Sequence, residues 1–317
     1  MIDKLPWLTP QIMDIRQQLQ AGKLPHGLLL VGRPGDGLHQ MGEHLANTIL
    51  CGKAEAPCGQ CKACQLFLAG THPDYRLLEP EGKSETIKIE PIRAMSAFMS
   101  GTAQQGGARV VRLRSAERMN TSAANALLKV LEEPGRDSFL ILESESLSRL
   151  LPTVRSRCRI IKLAVPDQNK ANAYLEGEAI APAERPLRLI MSEGAPLTAA
   201  ALDSSAMSRW REQAEAFSSQ GRMTELAAFL AKQPARDALQ QLLLWVDESI
   251  RCRYTGAVKL VDQDKLLVDR LKQPPLTSLF RFRDYILEIE DSLNRQANLN
   301  QQLWSEQLAA RWLELTG

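Results

Sequence analysis

The chain has 317 residues, room for two or three domains of roughly 100–200 residues each, and its 44% apolar content is ordinary for globular cores. A formal net charge of only +2 excludes a strong basic field that would hold nucleic acid unaided and leaves room for a weak local patch at most. No apolar run nears the ~18 residues of a membrane span, and the opening MIDKLPWLTP lacks the apolar centre of a secretion signal, so a cytoplasmic protein is expected.

From residue 27 to about 163 strand and helix patterns alternate. GLLLVG (27–32) reads as a strand entering a Gly-rich turn. LHQMGEHLANTILC then places Leu38, Met41, Leu45 and Ile49 near helical spacing. YRLLEP (75–80) and TIKIE (86–90) read as short extended segments, and PIRAMSAFMS as a helix with Pro91 in its first turn. RVVRLR (109–114) is a strand. TSAANALLKVLEEP is a helix with Leu127, Leu128 and Leu131 on one face and Pro134 beyond its end. FLILES (139–144) is a strand, SLSRLLPTVRSRC mostly helix, and RIIKL (159–163) a strand. Strands separated by helices predict an α/β module with a parallel sheet covered on both sides.

After VPDQ (165–168) the strand signal stops. A small helical unit is expected over 166–205, with Gly194 and Pro196 as punctuation and DSSAMS (203–208) as boundary. Residues 206–317 read as all-helical. DALQQLLLWVDESI aligns Leu239, Leu242, Leu243, Val246 and Ile250, and LWSEQLAARWLEL repeats the stripe with Trp304, Leu308, Trp312 and Leu315.

Four of the six cysteines, Cys51, Cys58, Cys61 and Cys64, fall in CGKAEAPCGQCKAC with spacing C-x6-C-x2-C-x2-C. In a reducing compartment so dense a cluster reads as metal ligands before disulfides. Four thiolates this close can surround one tetrahedral Zn²⁺, and Gly52, Pro57 and Gly59 let the chain wrap tightly. An iron–sulfur cluster competes, since C-x2-C-x2-C opens the bacterial ferredoxin run. That run continues with a downstream Cys-Pro absent here, so zinc is favoured. Four protein ligands leave no open position, making the expected zinc structural.

VGRPGDGLHQ (31–40) has the glycine spacing of a phosphate-binding loop, Gly32 and Gly37, without its chemistry. Leu38 stands where lysine would meet the β- and γ-phosphates, and His39 where a hydroxyl would bind Mg²⁺. Taken alone, the stretch reads first as a tight strand–helix turn. The strand RVVRLR ends in Arg114 and Ser115, where an active ATPase carries acidic residues for Mg²⁺ and water. Two independent losses predict that no ATP is bound here. Arg33 brings a charge to the loop, but at the wrong place for the lysine's role.

NALLKVLEEP (125–134), LPTVRSRC (151–158), PHGLLLVG and a cysteine cluster after the first sheet-flanking helix together closely resemble the bacterial clamp-loader AAA+ family. The similarity in motif runs from about residue 24 to 163; beyond it the chain matches only in helical character and length. The resemblance implies an AAA+ module over 1–165 with a degenerate loop and an inserted zinc module at 51–64, a helical lid over 166–205, and a helical collar over 206–317. It implies a stator-type member without activity of its own, joined to gamma/tau ATPase subunits and a delta subunit in a five-membered ring. The ring opens a sliding clamp and places it on primed DNA for DNA polymerase III. In this family the arginine of S-R-C, here Arg157, is an arginine finger reaching a neighbour's ATP, a role suited to a permanently charged, forked guanidinium. Arg155 and Arg159 are expected to be solvated charges.

The chain departs from the family pattern in places. Gly135 replaces a second proline, the sensor threonines fall near Glu143 and Ser144, and the lid's sensor arginine falls near Leu197. Two other classes compete with the stator: an active ATPase with an unorthodox site, which would bind ATP tightly despite Leu38 and Arg114, and a zinc-module nucleic-acid binder, which would show salt-dependent DNA binding.

Overall fold

The computed structural model describes residues 2–80, 86–219, 221–256, 260, 262–294 and 300–316. Positions 220, 257–259, 261, 295–299 and 317 of the expected collar span lie outside the described residues. The chain divides into two compact units, Met1–Ile180 with Gly194–Ala200, and Ala181–Glu193 with Ala201–Gly317.

In the first unit, α1 (Thr9–Gln20) precedes β1 (Gly27–Val31), α2 (Leu38–Cys51) and α3 (Lys62–Leu68). Then come β2 (Tyr75–Leu78), α4 (Ile89–Met99), β3 (Arg109–Leu113), α5 (Thr121–Glu132) and β4 (Ser138–Ser144). The short α6 (Pro152–Arg155), β5 (Arg159–Lys162) and α7 (Gln168–Gly177) follow. The strands form one parallel sheet in the order β2-β3-β4-β1-β5. Alternation along β1 assigns its side chains to opposite faces. Leu28 and Leu30 join Ile141 and helix residues Leu38, Met41 and Leu45, whereas Leu29 joins Leu140, Leu142, Met95 and Leu127. The parallel sheet buried on both faces is the architecture the alternating pattern predicts.

Two local expectations change, and one helix was not anticipated. TIKIE does not enter the sheet: Ile87 makes only an isolated bridge to Met119, and α4 already begins at Ile89. Pro91 tolerates that early start because first-turn N–H groups need no intrahelical partner. SLSRLLPTVRSRC is mostly not regular α-helix. It holds a 3-10 turn at Leu147–Arg149 and the four-residue α6, with Leu151 extended at ψ 136°. Pro152 disfavours the helical region for the residue before it. The periodic stretch that forms α1 carries Ile15 into the core, and no strand–helix alternation announced it.

The second unit opens with α8 (Arg185–Met191); α9 (Pro196–Ala201) lies almost wholly in the first unit. The second unit resumes with α10 (Ser204–Ser218), α11 (Met223–Leu230), α12 (Ala235–Thr255), α13 (Asp262–Arg270), α14 (Leu276–Asn294) and α15 (Gln301–Thr316). Trp245, Trp312, Phe217 and Phe282 fill its core, with the Phe217 and Trp312 rings edge to face at 5.0 Å. Asp264 is buried there. It accepts Nε1–H from Trp245 at 2.7 Å and from Trp210 at 3.2 Å, so one carboxyl ties α10, α12 and α13 together. Burial pushes its pKa above the usual carboxylate value, against the pull of the two indoles.

Candidate functional site

The Gly-rich turn follows β1, which lies between β4 and the edge strand β5. Arg33 begins a 3-10 turn at Pro34–Asp36, and Gly37 takes φ 102°, a conformation open to glycine at no steric cost. The loop is closed by side chains of its own unit. Asp36 is buried and receives a forked pair from Arg33, Nε to Oδ2 at 2.7 Å and Nη2 to Oδ1 at 3.0 Å. Trp7 donates its indole N–H to the Asp36 carbonyl at 2.8 Å. Leu5 and Leu8 crowd Gly37, where an added Cβ would come within 2.8 and 3.0 Å of their Cδ1 atoms. A Cβ on Gly35 would collide with Thr198 and lie 2.8 Å from the Ala195 Cβ. Leu38 is only 1% exposed and belongs to the core. Arg33 therefore neutralises Asp36, and Leu38 anchors the helix that follows.

Behind the loop lies a buried ion pair joined by a half-buried histidine. Register sets Leu30 of β1 beside Glu143 and Val31 beside Ser144. The Glu143 carboxylate, fully buried, bonds Arg112 Nε through Oε1 and pairs with His39 Nδ1 through Oε2 at 2.6 Å. Arg112 is nearly as buried and also donates Nη2–H to the His39 carbonyl at 2.6 Å. Burial opposes the Arg112 charge, but Glu143 outweighs it and holds the guanidinium pKa above its ordinary value. His39 thus serves a carboxylate, and the position of a sensor threonine holds one partner of a charge pair. Ser144 turns its hydroxyl to the Ser146 carbonyl, Arg114 pairs with Glu79 at 3.0 Å, and Leu197 packs on the apolar core.

Gly42 of α2 makes the cluster possible, because a Cβ there would collide with Glu143 Oε1 and lie 2.8 Å from Arg112 Nε. Gly42→Ala is expected to destabilise the chain by roughly 3 kcal/mol, the upper end of overpacking penalties, since the displaced groups are buried charges. Urea unfolding of both proteins measures this; an unchanged midpoint would show that the cluster yields freely. Arg112 and Glu143 are opposite charges among the apolar residues of two strands, but nothing in the sequence pairs them with each other or with His39.

The four clustered cysteines converge. Their sulfurs lie within 4.8 Å of one another, with Cys51 and Cys64 buried. Cys51 and Cys61 sulfurs stand 3.8 Å apart, and a tetrahedron with ~2.3 Å Zn–S bonds has S–S edges of about 3.8 Å. Backbone N–H groups point at three of the sulfurs: Cys58 N–H to Cys51 at 3.5 Å, Cys61 N–H to Cys58 at 3.4 Å and Cys64 N–H to Cys61 at 3.4 Å. The N–H groups of Gln60 and Cys61 bring the Cys58 thiol down to about 6, while burial pushes Cys64 up to about 12. Gly52 and Gly59, at φ 61° and 70°, turn the chain out of α2 and around the cluster. Geometry and donor set fit one tetrahedral metal ion, which zinc suits.

In S-R-C the side chains diverge. Cys158 packs against the sheet core, where burial pushes its thiol up to about 12. Arg157 stays partly exposed. Its Nη2 pairs with Glu132 Oε1 at 2.6 Å and its Nη1 donates to the Thr153 carbonyl at 3.1 Å. Arg159 pairs with Asp14 at 2.7 Å, and Arg155 reaches the Leu147 carbonyl at 3.5 Å. Both are held within their own chain rather than solvated as expected.

A parallel sheet in this order, with the Gly-rich turn leaving β1 and helices following it in the sequence, defines an AAA+-type P-loop module. The family described as "DNA polymerase III, delta subunit" matches residues 8–167. DNA polymerase III subunit delta' of Pseudomonas aeruginosa is 35% identical over 336 aligned residues, covering 100% of this chain and 99% of that one. The Escherichia coli protein of the same name is 35% identical over 266, covering 82% and 79%. The chain belongs to the family of DNA polymerase III delta' subunits. Among solved structures, a Thermotoga maritima DNA polymerase III gamma subunit-related protein overlaps with a TM-score of 0.47 at 19% identity, over 96% of this chain and 100% of that one. Among the described residues no helix is long and apolar enough to cross a membrane.

Proposed function

We propose that the chain is a non-hydrolysing stator of a bacterial clamp loader, which lends Arg157 to the ATP of a neighbouring subunit. One observation carries the reading: the Arg112–Glu143–His39 cluster replaces the Mg²⁺ and γ-phosphate chemistry, while Leu38 removes the phosphate-binding charge. Binding Mg·ATP here would require breaking the buried Arg112–Glu143 pair, which costs about 3–5 kcal/mol when one partner is lost. In this reading residues 1–165 form the AAA+ module, 166–205 a lid and 206–317 a collar that joins gamma/tau ATPase subunits and a delta subunit in a ring of five. The ring acts in the cytoplasm on the sliding clamp and primed DNA. Zn²⁺ on Cys51, Cys58, Cys61 and Cys64 is structural, because four thiolates leave no position for a reactive water.

Calorimetry of the isolated chain with Mg·ATP tests the loop. No saturable heat is expected at micromolar concentrations, and a clear isotherm would mean that the nucleotide site is alive. Mixing the chain with candidate ATPase subunits tests the partnership: ATP hydrolysis stimulated by clamp and primed DNA should require its presence.

A further inference from the structure

The last turn of α5 carries Glu132 at the negative end of a helix, where a carboxylate is disfavoured by the helix dipole. Its partner is Arg157, whose two terminal nitrogens are held from two elements: Nη2 by Glu132 at 2.6 Å and Nη1 by the carbonyl of Thr153 in α6 at 3.1 Å. Each held nitrogen carries a second hydrogen, and Nε–H adds a third donor of the planar fork. A guanidinium held this way keeps donors for a phosphate.

We propose that Glu132 is the positioning residue of the arginine finger: with the Thr153 carbonyl it fixes the Arg157 guanidinium in advance of the neighbour's ATP. The inference rests on the finger reading above. A free arginine side chain loses rotamer freedom when it engages a ligand, and one already held loses less at that moment. The two side chains are 37% and 51% exposed, so solvent weakens the pair. Exposed pairs are worth at most about 1 kcal/mol, which limits the effect to about fivefold in rate. A hold of that size restrains the finger without competing seriously with a phosphate dianion.

Single-turnover ATP hydrolysis by the reconstituted complex, with clamp and primed DNA present, tests this. The site beside this chain is the phase that Arg157→Ala abolishes. Glu132→Ala should slow that phase about two- to fivefold without changing the ATP concentration at half-saturation. Glu132→Gln, which keeps an acceptor oxygen, should slow it less. An unchanged half-saturation together with partial rescue by Glu132→Gln is a split that a merely structural role would not produce. Gel filtration and thermal melts confirm that the variants fold and assemble, as expected for an exposed carboxylate. If Arg157→Ala abolishes a phase that Glu132→Ala leaves at its normal rate, Glu132 does not position the finger. If Arg157→Ala abolishes no phase, the finger reading fails as well.

Discussion

Arg157→Ala is expected to leave the chain folded and able to enter its complex, while one ATP site of that complex loses nearly all its activity. An arginine finger is worth ~10³–10⁵ in kcat where it acts alone. Total turnover should fall less, since other sites in the ring keep fingers from their own neighbours. The side chain is partly exposed and its contacts are to a surface carboxylate and one carbonyl, so removing it threatens little of the core. Arg157→Lys should fail substantially too, because an ammonium keeps the charge but not the planar fork. Arg155→Ala and Arg159→Ala serve as controls for loss of positive charge, although each also breaks an internal contact, to Leu147 and Asp14. Stimulated hydrolysis by complexes assembled with each variant is the measurement. Wild-type turnover from Arg157→Ala complexes would reduce Arg157 to a surface charge.

Metal removal should have the second large effect. Purified without added zinc, the chain should carry about one Zn²⁺, with no visible colour. Apparent binding energies of ~10–16 kcal/mol for four-ligand zinc peptides mean that the metal supplies most of the order of this excursion, whose own apolar core is small. Cys61 also ties the local backbone together. Its sulfur caps α3 by accepting the Cys64 N–H, and its N–H points at Cys58. Cys61→Ser should therefore loosen the metal and expose residues 51–68 to proteolysis and hydrogen exchange, while the sheet keeps its protection. A brown, iron-containing protein would overturn the zinc assignment, and a metal-free chain with a fully protected 51–68 segment would overturn the energetic claim.

The fold was readable wherever one periodicity dominated. Apolar runs such as GLLLV and FLILES, each followed or preceded by a 3.6-period helix, predicted the parallel sheet that forms. Strand order was outside that pattern, since it depends on crossovers that no local signal encodes. The cysteine cluster was readable because four ligands for one ion lie within fourteen positions of sequence, and the structure brings their sulfurs together. TIKIE misled because Ile87 and Ile89 alternate as in a strand, while the helix that starts at Ile89 owes its packing to Ile92 and Met95 further on. The loop's missing chemistry was visible as absent residue types. What replaced it was not, because His39, Arg112 and Glu143 are separated by 73 and 31 positions and meet only when β3 and β4 pair behind α2. Nor did the loop sequence indicate that Leu5, Leu8 and Thr198 would crowd its glycines, since each comes from a distant segment.

The tryptophans have a spectroscopic consequence. Trp210, Trp245, Trp304 and Trp312 all belong to the second unit, and only Trp7 to the first. Two of the four share the Asp264 carboxyl as hydrogen-bond acceptor, so their emission responds to the anchor that joins three helices. Intrinsic fluorescence is thus mainly a reporter for one half of the molecule, while circular dichroism sums over both. A melt followed by the two signals together will show whether the halves lose structure in a single step, since coincident transitions are the mark of two-state unfolding.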